Sequence, residues 1–456
     1  MSEETSIPSL AGHQTRPWPS PVYAWYTVGV LTFAYTVSFV DRQILSLLVV
    51  PIQNDLGLSD TQLGLLQGVA FGIFYTLMGL PLGRLADAYN RRRIICIGVT
   101  LWTTATALCG LAQSFWQLFL ARIGVGVGEA SLSPSALSLI SDYFPPQKRS
   151  FAVSVYFSGA ILGGGIALIA GGAAIELIEA TNFSTVPFLR SFRPWQLTFF
   201  LVALPGVVVI ALMLSVMEPV RRELLGNTTT PGVPLSTVIR HLTSHWRAYI
   251  CLNVGFAIYT LLAYGLAAWV PTYFIRSFSW TPGEVGLKYG FVVLTVGTVG
   301  IIFGGWLAGW LERKGHADAP YRVMMFAILG LWPFAVLAPL TQTATMSIGL
   351  FSFVSFFMAM PTGVGFASLQ KITPNQMRAQ VTALFLFSSN IIGLSLGPSA
   401  VAFFTDYVFG DIYLIGRSIA LLSFSIIPLS LAVLWLGLRA YGRTLANSNE
   451  WASKGS

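Results

Sequence analysis

The stretch GRLADAYNRRR, residues 83–93, closes one apolar run of helix-spanning length, and GWLAGWLERK, residues 305–314, closes another. Setting Gly83 on Gly305 also sets Leu85 on Leu307, Ala86 on Ala308, Arg91 on Arg313 and Arg92 on Lys314. A second echo at nearly the same offset places Pro145 and Arg149 against Pro374 and Arg378. Two echoes of this kind read as parallel repeats in a membrane chain, the pattern of a transporter that rocks one half against the other.

Composition agrees. Of 456 residues only 10% are charged and 54% are hydrophobic, with a mean hydropathy of +0.70. That is more apolar material than soluble cores bury, with too few charges to solvate their surface, and disorder needs the opposite balance. The net charge of +8 reads as membrane topology rather than nucleic-acid binding. Cys96, Cys109 and Cys251 form no CxxC, and His13, His241, His245 and His316 fall in polar connections. An intramembrane enzyme would need a nucleophile with a base or a metal set, and no such constellation is present, so no enzyme activity, cofactor or metal is expected. The GxGxG at Gly124 follows no strand and lies in an apolar run, which excludes a dinucleotide loop.

Apolar runs begin near Tyr23, Gln62, Ile94, Trp116, Ser150, Trp195, Ala248, Gly283, Arg322, Met346, Gln376 and Ile412. Each supplies the roughly 20 residues a bilayer core requires, so twelve spans are predicted. The first is too long for a signal-peptide core and is expected to be retained. Sorting the 26 Lys and Arg by connection puts 19 on the side of both termini and 5 on the other, with Arg42 and Arg122 inside spans. The excess predicts a multi-pass cell-membrane protein with both termini cytoplasmic. The expected organisation is a cytoplasmic N-terminal tail (1–21), a six-helix bundle (22–217), a basic cytoplasmic linker (218–247), a second six-helix bundle (248–441) and a cytoplasmic tail (442–456).

Twelve spans in two halves with GRLADAYNRRR after the second resemble the major facilitator superfamily. The usual basic residue after Asp87 is replaced by Ala88, and the usual Gly by Asn90. Within it, FVDRQ at Phe39, GLLQ at Gly64, LADAYNRR, GVGVGEAS at Gly124 and RSFAVSVYFSGAILGGG at Arg149 resemble the Spinster family of lipid transporters. The superfamily resemblance covers the whole chain and the Spinster one is concentrated before about Gly172. The implied fold is an all-α membrane protein with 12 transmembrane helices in two six-helix pseudo-symmetric bundles. The resemblance also implies that spans one, four, seven and ten line a central cavity, and that the cargo is a lysophospholipid or a sphingoid phosphate.

Charges inside spans cost about 2.5–3.5 kcal/mol each on insertion scales and so mark function. The clear cases are Asp41 and Arg42 in the first span and Arg122 and Glu129 in the fourth, where a separation of seven puts the last two on one helix face. We read Asp41 and Glu129 as the proton-coupling carboxylates, because a buried carboxylate's protonation depends on whether a cation holds it. Protonation would free an arginine for an anionic headgroup. The predicted substrate-binding set is Arg42, Arg122, Glu129, Asn253, Tyr259, Tyr264, Trp269 and Thr362, ionic on one wall and neutral or aromatic on the other. In the resembled superfamily the loop Asp faces the start of span eleven, which implies a cytoplasmic gate of Gly83, Asp87, Arg91 and Asp142, with Asp87 near the helix after Pro374 and Arg91 near Asp142. Gly159, Gly163, Gly164 and Gly165, and Gly297, Gly300, Gly304, Gly305 and Gly309, follow small-xxx-small spacing and should allow close helix approach.

The function these residues point to is proton-coupled transport of lysolipid-like amphiphiles by alternating access. The alternative is a proton-coupled carrier of small organic anions or drugs, since Arg42 and Arg122 would hold any carboxylate. The expected partners are the substrate, protons and membrane lipids, without nucleic acid, and the chain is expected to act as a monomer.

Overall fold

The computed structural model describes residues 18–181, 191–221 and 234–453. Its spanning helices are α1 (Pro21–Leu56), α2 (Asp60–Ala88), α3 (Arg91–Cys109), α4 (Phe115–Tyr143), α5 (Pro146–Ala180) and α6 (Pro194–Ser215) in the first half. The second half has α7 (Trp246–Phe278), α8 (Pro282–Arg313), α9 (Ala319–Leu337), α10 (Ala344–Lys371), α11 (Gln380–Phe409) and α12 (Ile415–Ser453). A short helix, Leu235–Ser244, precedes α7; Arg16, Arg190, Arg222 and Lys454 lie outside the described residues.

Eleven of these segments are long and apolar enough to cross a membrane by length and composition alone. The twelfth, α3, opens with Arg91, Arg92 and Arg93, which lowers its average, yet it packs between α4 and α6 as a span. α12 runs on as helix to Ser453, past the boundary expected after Tyr441.

Local chemistry sets the helix ends. Ser20 caps α1 with Pro21 in its first turn, and Gly57 closes it at φ 63°, a left-handed position that glycine adopts without steric cost. Reciprocal capping boxes start α2 (Ser59, Gln62) and α8 (Thr281, Glu284). An even number of spans places Pro21 and the start of α7 at one end of the bundle, the terminal end. Leu56, Asp60 and Phe278 lie at the other, the far end.

Four spans are interrupted beside the centre. α2 breaks at Gly68, α4 breaks directly after Glu129, α10 breaks at Met360–Pro361, and α11 contains a π-helical turn at Asn390–Leu394. Such breaks are rarely incidental at mid-membrane depth, because freed backbone groups are tolerated only where protein or a cavity receives them.

The halves meet along α2–α11, α5–α8 and α1–α7. They approach closely at Gly68, where an added Cβ would collide with the Ser395 carbonyl, and at Gly172, where it would strike the Pro282 carbonyl. The glycine runs singled out from sequence divide among several surfaces: Gly159 and Gly163 receive α1, Gly165 receives Leu294 of α8, and Gly300 and Gly304 receive α10. Among the described residues no neighbour stands close to Gly164 or Gly297, and both border the central cavity.

Candidate functional site

Between the halves lies a cavity of about 340 Å³. Spans one, four, seven and ten contribute to it as expected, and α2, α5, α8 and α11 do so as well. Arg42 and Arg122 are the charged residues of its lining, which also takes Ala160, Ile161 and Gly164 of α5 and Val293, Gly297 and Ile301 of α8 as an apolar part.

The four mid-span charges come together, in an arrangement different from helix-face spacing. Arg42 Nε pairs with Glu129 Oε2 at 2.7 Å, across two helices, and Glu129 is fully buried behind it. Glu129 therefore does not line the cavity as expected of a substrate contact; it holds a residue that does. The Arg42 guanidinium also lies over three rings, Phe39, Phe71 and Tyr75, at 4.8, 4.7 and 4.6 Å from their centroids, a cage that favours a desolvated cation. Phe71 is shared with Arg122, whose guanidinium stands 5.4 Å from its centroid.

Among the described residues Arg122 pairs with no carboxylate. Its Nη1 donates to the Asp41 backbone carbonyl at 3.4 Å. Among the described residues Arg122 Nε, Asp41 Oδ1 and Glu129 Oε1 are buried without hydrogen-bond partners. An under-satisfied network of this kind is costly in a low-dielectric interior, and natural proteins keep such networks where charge or protons move.

The second-half residues divide. Tyr259, Tyr264 and Thr362 line the cavity, although the Tyr259 hydroxyl is spent on the Met358 carbonyl. Trp269 and Asn253 do not. Trp269 is fully buried and donates Nε1 to the Pro398 carbonyl at 2.7 Å, tying α7 to α11. Asn253 accepts from Ser388 at 2.9 Å and donates to the Tyr249 carbonyl. Their polarity answers backbone and hydroxyl partners, which the span pattern alone does not reveal. Sequence reading missed Gln67 and Ser355, each lining the cavity with a buried polar atom that lacks a partner among the described residues.

At the terminal end the Arg91–Asp142 ion pair is present, buried, with Glu218 as a third member at 2.8 Å. Arg91 and Asp142 belong to the first half and Glu218 opens the segment after α6, so the cluster fastens α3 to the end of α4 and to that segment. Arg91→Ala would leave Asp142 buried and half-compensated, at a cost of about 3–5 kcal/mol. The expected result is a lowered thermal-unfolding midpoint in detergent, and an unchanged midpoint would refute a stabilising role.

Among the described residues the expected contact of Asp87 with the helix after Pro374 is not made. Asp87 is exposed, and its backbone carbonyl, with those of Ala86 and Tyr89, accepts from Arg221. Gly83 borders Pro134 of α4 in its own half. The physical reason is that among the described residues no polar contact joins the halves at this end, and in the second half Lys371 pairs with its own Glu312 at 2.6 Å.

The far end is latched. Arg276, in the last turn of α7, donates Nη1 to Asp60 Oδ2 and Nη2 to Asp60 Oδ1, both at 2.7 Å, and Nη2 also reaches Gln53 Oε1 at 2.7 Å. The Arg276 side chain is 3% exposed and that of Asp60 0%. Asp406 Oδ2 accepts from the Thr61 backbone amide at 2.6 Å, and deeper in, Gln43 and Thr272 reach carbonyls of Ala267 and Ser46 across the same seam. Among the described residues the polar contacts between halves lie at or beyond the cavity on this side. The molecule is closed at its far end and parted at its terminal end.

Comparison with known proteins agrees with this geometry. A crystal structure described as a bacterial homologue of the human lysosomal transporter Spinster, inward-facing and unoccupied, superposes with a TM-score of 0.76 at 26% identity, covering 94% of this chain and 98% of that one. An MFS-type efflux pump of Mycolicibacterium smegmatis is 28% identical over 93% of this chain and 95% of its own length. The protein spinster of Drosophila melanogaster is 26% identical over 73% of this chain and 53% of its own. The Major Facilitator Superfamily model matches residues 31–398, and with twelve spans packed as two halves around one cavity, this chain belongs to that superfamily of multi-pass membrane transporters.

Proposed function

We propose that this transporter carries amphiphilic, lysolipid-like anions, lysophospholipids or sphingoid phosphates, in exchange for or together with protons. The observation that carries the reading is the mixed lining of the cavity: Arg42 and Arg122 share it with the apolar residues that α5 and α8 contribute. A phosphate headgroup satisfies the guanidiniums through charge-assisted hydrogen bonds. A hydrocarbon tail gains by leaving water against Ile161, Val293 and Ile301. Glu129 competes with the headgroup for Arg42, which links proton occupancy to substrate binding.

The positive-inside excess supports both termini in the cytoplasm, which makes the parted end cytoplasmic and the conformation inward-facing. Alternating access then moves bundles 22–217 and 248–441 about the linker 218–247. In the opposite state Asp87 would approach the start of α11 and close the cytoplasmic side, with Arg91 and Asp142 keeping the α2–α3 loop in place.

The likeness to an efflux pump over nearly the full length of both chains supports a second reading, in which the cargo is a small organic anion or a drug. Purified protein in proteoliposomes under an imposed pH gradient separates the two, with lysophospholipid, sphingosine phosphate and small carboxylates as separate cargoes. Proton-dependent flux of an amphiphile is expected; flux of small carboxylates alone would replace this reading with the second.

A further inference from the structure

A second cavity, of about 440 Å³, lies away from the transport pathway, at the terminal end where α7 begins and α12 leaves the apolar belt. Its lining includes His245, Trp246 and Arg247 from the start of α7, and Leu436, Arg439 and Arg443 from α12. Arg439 and Arg443 are one helical turn apart and so share a face, and Arg247 comes to that face from the other helix. The Arg247 guanidinium stands 5.3 Å from the Trp246 ring centroid. Among the described residues no carboxylate pairs with any of the three arginines.

Three unpaired cations around one hollow repel each other and invite an anion. The surroundings say which kind. Trp246, Ile250, Trp435 and Leu436 are 51%, 50%, 66% and 69% exposed, an outward apolar surface that only hydrocarbon solvates well. The arginines stand where that surface gives out, with tryptophans at the boundary, as at a membrane–water interface. A free anion would use the cations and leave the adjoining apolar rim unused.

We infer that this pocket holds the headgroup of an anionic membrane phospholipid, its phosphate on Arg247, Arg439 and Arg443 and its acyl chains along Leu436 and Trp435. A basic hollow between spans at one membrane face is the form such sites take. The bound lipid bridges the first turn of the second half to its last span and braces the junction where the linker enters α7.

The test uses the full chain, purified and delipidated in mild detergent, titrated with phosphatidylglycerol and with phosphatidylcholine. A clear preference for phosphatidylglycerol is expected. Each arginine near an anionic lipid contributes about fivefold, so R247Q/R439Q/R443Q should lose affinity for phosphatidylglycerol by on the order of a hundredfold, with phosphatidylcholine binding little changed. The triple Arg→Lys variant keeps the charge and should keep most of the preference. Should the glutamine triple fail to fold, each single Arg→Gln variant is expected to show its own several-fold loss. Equal affinity of the native chain for the two lipids would overturn the proposal, as would a preference undiminished in every glutamine variant. Displacement of the lipid by millimolar inorganic phosphate would also overturn it, by showing a site for free anions.

Discussion

Arg276→Ala is expected to open the far end. In the latched state the guanidinium satisfies both oxygens of a fully buried Asp60 and the Gln53 side chain at once. Removing one partner of such a pair leaves an uncompensated buried charge and costs about 3–5 kcal/mol. In the opposite conformation the two ends separate and water reaches both groups, so the same deletion costs little there. The difference shifts the ratio of the two states by roughly a hundredfold or more toward the far-end-open form. Spin labels at exposed Gln113 and Gln342, on far-end connections of the two halves, report this as a longer distance. Arg276→Lys keeps the charge and loses the planar fork, so an intermediate shift is expected. A distance distribution in Arg276→Ala indistinguishable from that of the native chain would rule out the latch as a determinant of conformation.

The latch also marks how far sequence reasoning reaches. The membrane class, the twelve spans and the charges buried at Asp41, Arg42, Arg122 and Glu129 were legible because each is a one-dimensional signal: run length, or a costly residue inside a run. Pairing was not. The spacing of seven set Arg122 and Glu129 on one face of α4, yet Glu129 pairs with Arg42 of α1, because the partner depends on how α1 and α4 are rotated against each other. Asp60 follows Ser59 in a capping box, a local signal that accounts for the residues and hides a partner 216 positions away. Trp269 and Asn253 were placed in the cavity because they lie on a span expected to line it; helix rotation turns them onto Pro398 and Ser388 instead. Asp87 depends on conformation as well as fold: with the terminal end parted, the surface it was expected to meet is out of reach.

The coupling prediction rests on the same geometry. Under an imposed gradient one pH unit is worth about 1.4 kcal/mol per proton, so a one-proton carrier accumulates substrate up to roughly tenfold per unit. Glu129→Gln removes the ionisable partner of Arg42 and should reduce that accumulation ratio to about one. Exchange of labelled for unlabelled substrate should survive, because the cage of Phe39, Phe71 and Tyr75 keeps the Arg42 guanidinium at the cavity without its carboxylate. Asp41→Asn leaves the Arg42–Glu129 pair intact and does not touch the cavity lining. It should therefore reduce coupling with little change in KM, whereas Glu129→Gln changes both. The contrast matters because a merely structural role predicts something else, namely parallel losses of expression, exchange and accumulation in both variants. Accumulation that still follows the gradient in Glu129→Gln and in Asp41→Asn would assign the four charges to packing and leave the proton path to be sought elsewhere along the seam.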